Sequence, residues 1–256
     1  MAKRRRDTKF SPLKSHKPVT SQRRARAETS RFHELARESS AAASGEAGAA
    51  ALEALERRRK DYQAASVLLT STHRASSRFV FRCVTRLGMR PARGERPLRV
   101  LEVGAVNTQL QASPFLDVTA IDVRSRHPRI RQLDLFDVPP PDRAEDRFDV
   151  VVLAMVLNCV ESAPRRGEML ARCRAQLRDG GLLVLVLPLR CFAGAASRDD
   201  FDARVMRGAL ALERVVGEES PKVALACYRR LPSARAAPAP PVGFAGACGF
   251  DVYVDS

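Results

Sequence analysis

None of the six cysteines (Cys83, Cys159, Cys173, Cys191, Cys227, Cys248) belongs to a Cys-x-x-Cys pair or lies near a histidine cluster of ligand spacing. They therefore read as core or free thiols of a reducing compartment, with no metal site. Long apolar runs are also missing: the longest, Val150–Leu157 and Leu182–Leu189, fall far short of the roughly 20 residues that span a bilayer. The opening Met-Ala-Lys-Arg-Arg-Arg-Asp carries charge without an apolar stretch behind it, which argues against a secretory signal. These gaps point to a soluble intracellular protein. Glycine is scarce where a dinucleotide site would need it. The turn Gly-Ala-Val-Asn-Thr-Gln at 104–109 holds one glycine, whereas a pyrophosphate cradle reads Gly-x-Gly-x-x-Gly and opens a helix.

Positive charge, by contrast, is abundant and uneven. Of the net +15, the first 37 residues carry +9. Such a field favours polyanions, and nucleic acid over a membrane surface because the segment lacks an apolar face. Residues 1–30 join the clusters Lys3–Arg6 and Arg23–Arg26 to Ser, Thr and Pro, with few aliphatics, so disorder is expected over a basic tail of residues 1–40. A solvated charge run without a dedicated partner is the alternative. Residues 41–92 read as a linker followed by helices. Ala-Ala-Ala-Ser-Gly-Glu-Ala-Gly-Ala-Ala-Ala at 41–51 is low-complexity, and from Leu52 to Leu87 helical spacing links Tyr62, Ser66 and Leu69, then Phe79, Val80, Cys83 and Leu87, until Gly88 and Pro91 stop it. These helices are expected to pack on a sheet and roof its ligand.

A core domain is expected over 93–232, and a Pro/Ala-rich extension with a possible edge strand at Phe250–Val254 over 233–256. Apolar runs predict strands at Leu98–Val103, Val118–Asp122, around Ile130–Leu133, at Phe148–Leu153 and at Leu182–Leu187. A helix should start after Ser162, with Pro164 in its first turn, and stop at Gly180-Gly181; another lies near Phe201–Leu210, before a hairpin of Leu212–Glu218 with Lys222–Arg230. Strand alternating with helix is α/β with a mostly parallel sheet.

In such a sheet, ligands bind at the carboxyl ends of the strands. Gly104 ends the first strand after Glu102, and Asp122 ends the second at the spacing of a ribose-binding acid, with Val123 beside it. Only about a dozen residues, including Pro114, separate Gly104 from the next strand, too few for a full crossover helix. Without a phosphate-binding turn, NAD and ATP are disfavoured and S-adenosylmethionine fits. Asp134 is placed to accept from an adenine amino group with Leu135 against the ring, although a loop aspartate is the ordinary alternative. Ala154, Met155 and Asn158 lie where the methyl group should point. Asn158 either orients a target base or caps the chain before the next helix. No Asn/Asp-Pro-Pro-aromatic loop is present, which disfavours methylation of an exocyclic amine. Arg165, Arg166, Arg172 and Arg174 either line an RNA approach or form a solvated helix face.

Leu-Glu-Val-Gly-Ala-Val-Asn, Ile-Asp-Val-Arg-Ser, Gln-Leu-Asp-Leu-Phe-Asp-Val-Pro-Pro-Pro, Val-Leu-Asn-Cys-Val, Arg-Arg-Gly-Glu-Met-Leu and Leu-Val-Leu-Pro-Leu-Arg-Cys together resemble the fungal large-subunit (25S) rRNA adenine-N1 methyltransferase family. The animal relative of that family is the S-adenosylmethionine sensor upstream of TOR complex 1. The resemblance runs from Tyr62 to Arg230. It implies a class I methyltransferase fold with a seven-stranded sheet, S-adenosylmethionine as cofactor at Gly104 and Asp122, and methylation of adenine N1 in rRNA or a pre-ribosomal particle. It further implies ribosome biogenesis in the nucleus and nucleolus, with the basic tail holding RNA. A non-catalytic sensor of the TOR pathway is the alternative. The chain departs from the family at 195–199, where Ala-Ala-Ser-Arg-Asp keeps only Ser197 and Arg198 of an Asn-Ser-Arg-Tyr-like string.

Overall fold

A computed structural model describes residues 21–41, 50, 53–54, 57–58, 75–125, 127–192, 198–232, 241–247 and 249–255. The chain forms two compact units, Met1–His73 and Arg74–Ser256. In the first, helix α1 spans Gln22–Ala41. The disorder expected up to residue 40 therefore does not extend to this stretch. It contains no glycine or proline, and Ala25, Glu28, Thr29, Phe32 and Leu35 form a buried to half-buried stripe at helical spacing. An ion pair of 2.9 Å joins Glu28 to Arg58. The Lys3–Arg6 cluster, most of the low-complexity stretch, and Tyr62, Ser66 and Leu69 lie outside the described residues.

The second unit is built on a sheet of β1 (Leu98–Val103), β2 (Leu116–Asp122), β3 (Arg131–Gln132), β4 (Phe148–Ala154), β5 (Leu177–Pro188), β6 (Leu212–Glu219) and β7 (Val223–Arg230), in the order β3-β2-β1-β4-β5-β7-β6. Only β7 runs antiparallel to its neighbours. This is the seven-stranded class I methyltransferase sheet expected above. Period-two alternation sends Leu101, Val103, Val151 and Leu153 to one face, under helix α3 (Ala163–Gln176) with Met169, Leu170 and Cys173. The other face takes Leu98, Val100, Val150 and Val152, under helix α2 (Ala75–Arg86) with Phe79, Val80, Cys83 and Val84. Burying each large side chain of α2 contributes about 1.5–3 kcal/mol. Arg82 ties α2 to β6 through two bonds to Glu218, 3.1 and 2.5 Å.

After Gly104 there is no crossover helix, only a 3₁₀ turn at Leu110–Ala112. Helix α3 starts as expected, with Ser162 Oγ accepting from Arg165 N at 3.4 Å, but ends at Gln176 rather than at Gly180-Gly181. Residues from Leu177 already pair with β4 across a register shift at Phe148/Val150, and Gly180, at φ 72°, supplies the left-handed step there. Helix α4 opens at Arg198–Phe201 and continues as a π-helix over Asp202–Ala209.

The expected edge strand joins no edge of the main sheet. Val252–Val254 (β9) pairs with Val242–Phe244 (β8) in a two-stranded sheet of its own, seated on α3. The seat needs Gly167, where a Cβ would collide with the Tyr253 carbonyl. Buried Arg166 donates to the carbonyls of Val160 (3.0 Å), Gly249 (3.1 Å) and Asp251 (2.7 Å). Among the described residues no helix is long and apolar enough to cross a membrane, and no group of His, Cys, Asp or Glu could hold a metal.

Candidate functional site

Register brings the expected residues to one end of one face. Glu102 lies opposite Ala120 on β2 and Val152 on β4, so two residues on, Gly104, Asp122 and Ala154 end their strands side by side. All share the face covered by α2. Gly104 has φ 71°, a left-handed conformation that favours glycine, and its N–H, like that of Ala105, donates to Ile121 O at 2.9–3.0 Å. A Cβ at Gly104 would collide with Val156 Cγ2. The glycine thus admits the neighbouring turn that carries Val156. Val156 follows Met155, whose φ of 61° is rare for a long side chain and whose N–H donates to Val186 O at 2.8 Å.

Two buried polar atoms here lack a partner among the described residues: Glu102 Oε2 and Asn158 Oδ1. Burial raises the Glu102 carboxyl to about 7. An acid in this state invites a cation, and the amide an additional donor. Asn158 stands in the 3₁₀ turn Leu157–Cys159, with its Nδ2 near Cys159 Sγ at 3.4 Å. Around them, Val123 is 50% and Met155 39% exposed, two of the three large exposed apolar residues in the described chain. A strand end with apolar lips, an unpaired acid and the Asp122 carboxylate at the end of β2 suits a nucleoside that carries an ammonium group and no phosphate. These residues therefore fit S-adenosylmethionine.

A family model described as 25S rRNA (adenine(2142)-N(1))-methyltransferase, Bmt2, matches residues 50–240, well over half of the chain. The chain belongs to this family. A 25S rRNA (adenine(2142)-N(1))-methyltransferase of Saccharomyces cerevisiae is 27% identical over 132 residues, covering 50% of this chain and 39% of that protein, so the match spans about two fifths of the curated relative. Among solved structures, magnesium protoporphyrin IX methyltransferase (ChlM) of Synechocystis PCC 6803 with bound SAM has a TM-score of 0.46 at 12% identity, over 65% of this chain and 83% of that one. The N-methyltransferase NodS of Bradyrhizobium japonicum WM9 with S-adenosyl-l-homocysteine has a TM-score of 0.40 at 19% identity, over 59% and 86%.

Within this Bmt2-family chain, several expected residues have other employment. Asp134 Oδ1 accepts from Phe136 N at 3.1 Å and Asp122 Oδ1 from Arg124 N at 2.8 Å, turns that leave each carboxylate further accepting capacity. Leu135 is 2% exposed and sits in the core beneath α3, with no surface to offer an adenine ring. The four arginines of α3 do not form a free basic face. Arg166 holds the terminal hairpin; Arg165 and Arg172 pair with Glu168 at 2.8 and 2.9 Å and flank Phe136. Arg174 is not without a partner either, and its backbone carbonyl accepts from Arg230 Nη1 at 3.1 Å. Ser197 lies outside the described residues, and Arg198 is spent on Glu219 (2.8 Å) and the Leu225 carbonyl (3.1 Å). Val156 went unrecognised because it sits inside an unbroken apolar run with no local mark of its contact.

Proposed function

We propose that this protein transfers a methyl group from S-adenosylmethionine to N1 of an adenine in large-subunit rRNA, in the nucleolus during ribosome biogenesis, with its basic N-terminal segment as an RNA contact. The observation that carries the reading is the family match over 50–240 on a strand end where buried Glu102 keeps an unpaired oxygen. When bound, the cofactor supplies a methyl on a sulfonium, open to direct displacement by a lone pair.

Asp122 would accept from the ribose hydroxyls, Val123 and Met155 would hold the apolar faces, and ionised Glu102 would pair with the ammonium. Adenine N1 is an uncharged nucleophile with an in-plane lone pair, so no side chain has to remove a proton before attack. Orientation and exclusion of water do the work. Asn158 Oδ1 would accept from the 6-amino group and fix the base in its plane, while Ala154 leaves room beside it.

Cells in which Asp122→Ala replaces the wild-type protein at equal abundance should lose 1-methyladenosine from large-subunit rRNA by nucleoside chromatography. Retention of the modified nucleoside would overturn the reading.

A further inference from the structure

Between β2 and Leu133 the chain reads Val-Arg-Ser-Arg-His-Pro-Arg-Ile-Arg-Gln-Leu over 123–133, four arginines and a histidine with no acid among them. Arg124, His127, Arg129 and Arg131 are exposed. The backbone beneath them is held. Ile130 is 5% exposed and packs with Ala105 and Ala120, and Gln111 Nε2 donates to Arg129 O at 2.8 Å. His127 accepts from Arg129 N at 3.2 Å through Nδ1, and its own N–H donates to Ser125 Oγ at 3.1 Å.

Several arginines elsewhere in this unit meet carboxylates, as Arg82 does with Glu218, Arg178 with Asp149 and Arg198 with Glu219. Among the described residues, no carboxylate pairs with Arg129 or Arg131. The ridge lies on the outermost strand, where Arg131 pairs in register with Ile121 and Gln132 with Asp122, so it is flush with the strand ends of the candidate site. Three strand spacings, about 14 Å, separate it from β4, which carries Ala154 and leads into Met155 and Asn158.

We propose that Arg129 and Arg131 form a phosphate-binding ridge that seats the RNA backbone flanking the target nucleotide. Anchored cations beside the candidate site, unmatched by acids among the described residues, complement a polyanion laid across the strand ends. The inference rests on the RNA reading above and adds a surface within the catalytic domain itself, separate from the N-terminal charge.

The test uses the full chain and a large-subunit rRNA fragment, with KM for RNA and its salt dependence as readouts. Arg129→Glu with Arg131→Glu should raise KM for RNA at least tenfold at about 0.15 M salt and lower the log–log salt slope by about 2. Cofactor affinity should stay unchanged. Lysine at both positions should keep most of the slope, because phosphate contact needs the charge. Arg143→Glu, at the opposite end of the strands, should leave KM as it is. If the wild-type chain methylates RNA and the double glutamate variant shows the same KM and slope, the ridge proposal falls. If the wild-type chain methylates no RNA, the function reading falls first. A KM raised on pre-ribosomal particles but not on naked RNA would assign the ridge to a protein partner and overturn the RNA assignment.

Discussion

Gly104 and Val156 occupy one space from two turns about fifty residues apart. Gly104→Ala should cost about 2–4 kcal/mol, from the left-handed φ and the collision together. Adding Val156→Ala should return about 1–3 kcal/mol of that loss, read as urea midpoints in a double-mutant cycle. Strictly additive effects would mean the two side chains do not meet. Asp122→Ala, which removes no packing at Gly104, is accordingly the cleaner probe of cofactor affinity.

Glu102 gives a second residue-scale prediction. Its folded value, about 7, lies above the ordinary 4.5, so the carboxyl lowers stability as pH rises from 4.5 through 7. Glu102→Gln should raise stability by on the order of 1–3 kcal/mol above pH 7, with the gain vanishing below pH 4.5. Cofactor affinity should fall as pH drops below 7 in the wild type, where Glu102 is protonated, and the glutamine variant should bind weakly without that dependence. An unchanged pH profile in calorimetric titrations would remove Glu102 from the site. Glu102, Gly104 and Asp122 were legible because strand ends and spacing mark them. The missing partner of Glu102 was not, since it depends on what other chain segments fail to supply.

At the scale of elements, the strand cores and the start of α3 were readable from apolar runs and from Ser162 with Pro164. Their far ends were less so. The end of α3 was displaced because Leu177 continues into a bulged strand, a tertiary pairing that overrides the Gly180-Gly181 stop signal. The terminal hairpin shows the same limit. Phe250–Val254 has the pattern of a strand, but its partner and its seat depend on Gly167 and Arg166, more than 80 residues earlier. Arg166→Leu should cost about 2–4 kcal/mol through the carbonyls left without donors and should expose the hairpin to limited proteolysis. Equal protease resistance at residues 241–255 would show that the hairpin is held by apolar contact alone.

Taken as a whole molecule, the chain joins a class I methyltransferase sheet to a strongly basic N-terminal segment. Topology was legible because buried parallel strands and a single-glycine turn leave few alternatives. The helix at Gln22–Ala41 was not, because its charge masked a narrow apolar stripe. The distribution of charge also separates roles: many arginines of the second unit are bound into ion pairs, while Arg129 and Arg131 are exposed beside the strand ends with no carboxylate partner among the described residues. The most direct measurement is transfer of labelled methyl from S-adenosylmethionine by the purified full chain to large-subunit rRNA or pre-ribosomal particles from cells lacking it. Labelled 1-methyladenosine, absent with Asp122→Ala, is the predicted result. Cofactor binding without transfer to either substrate would contradict it.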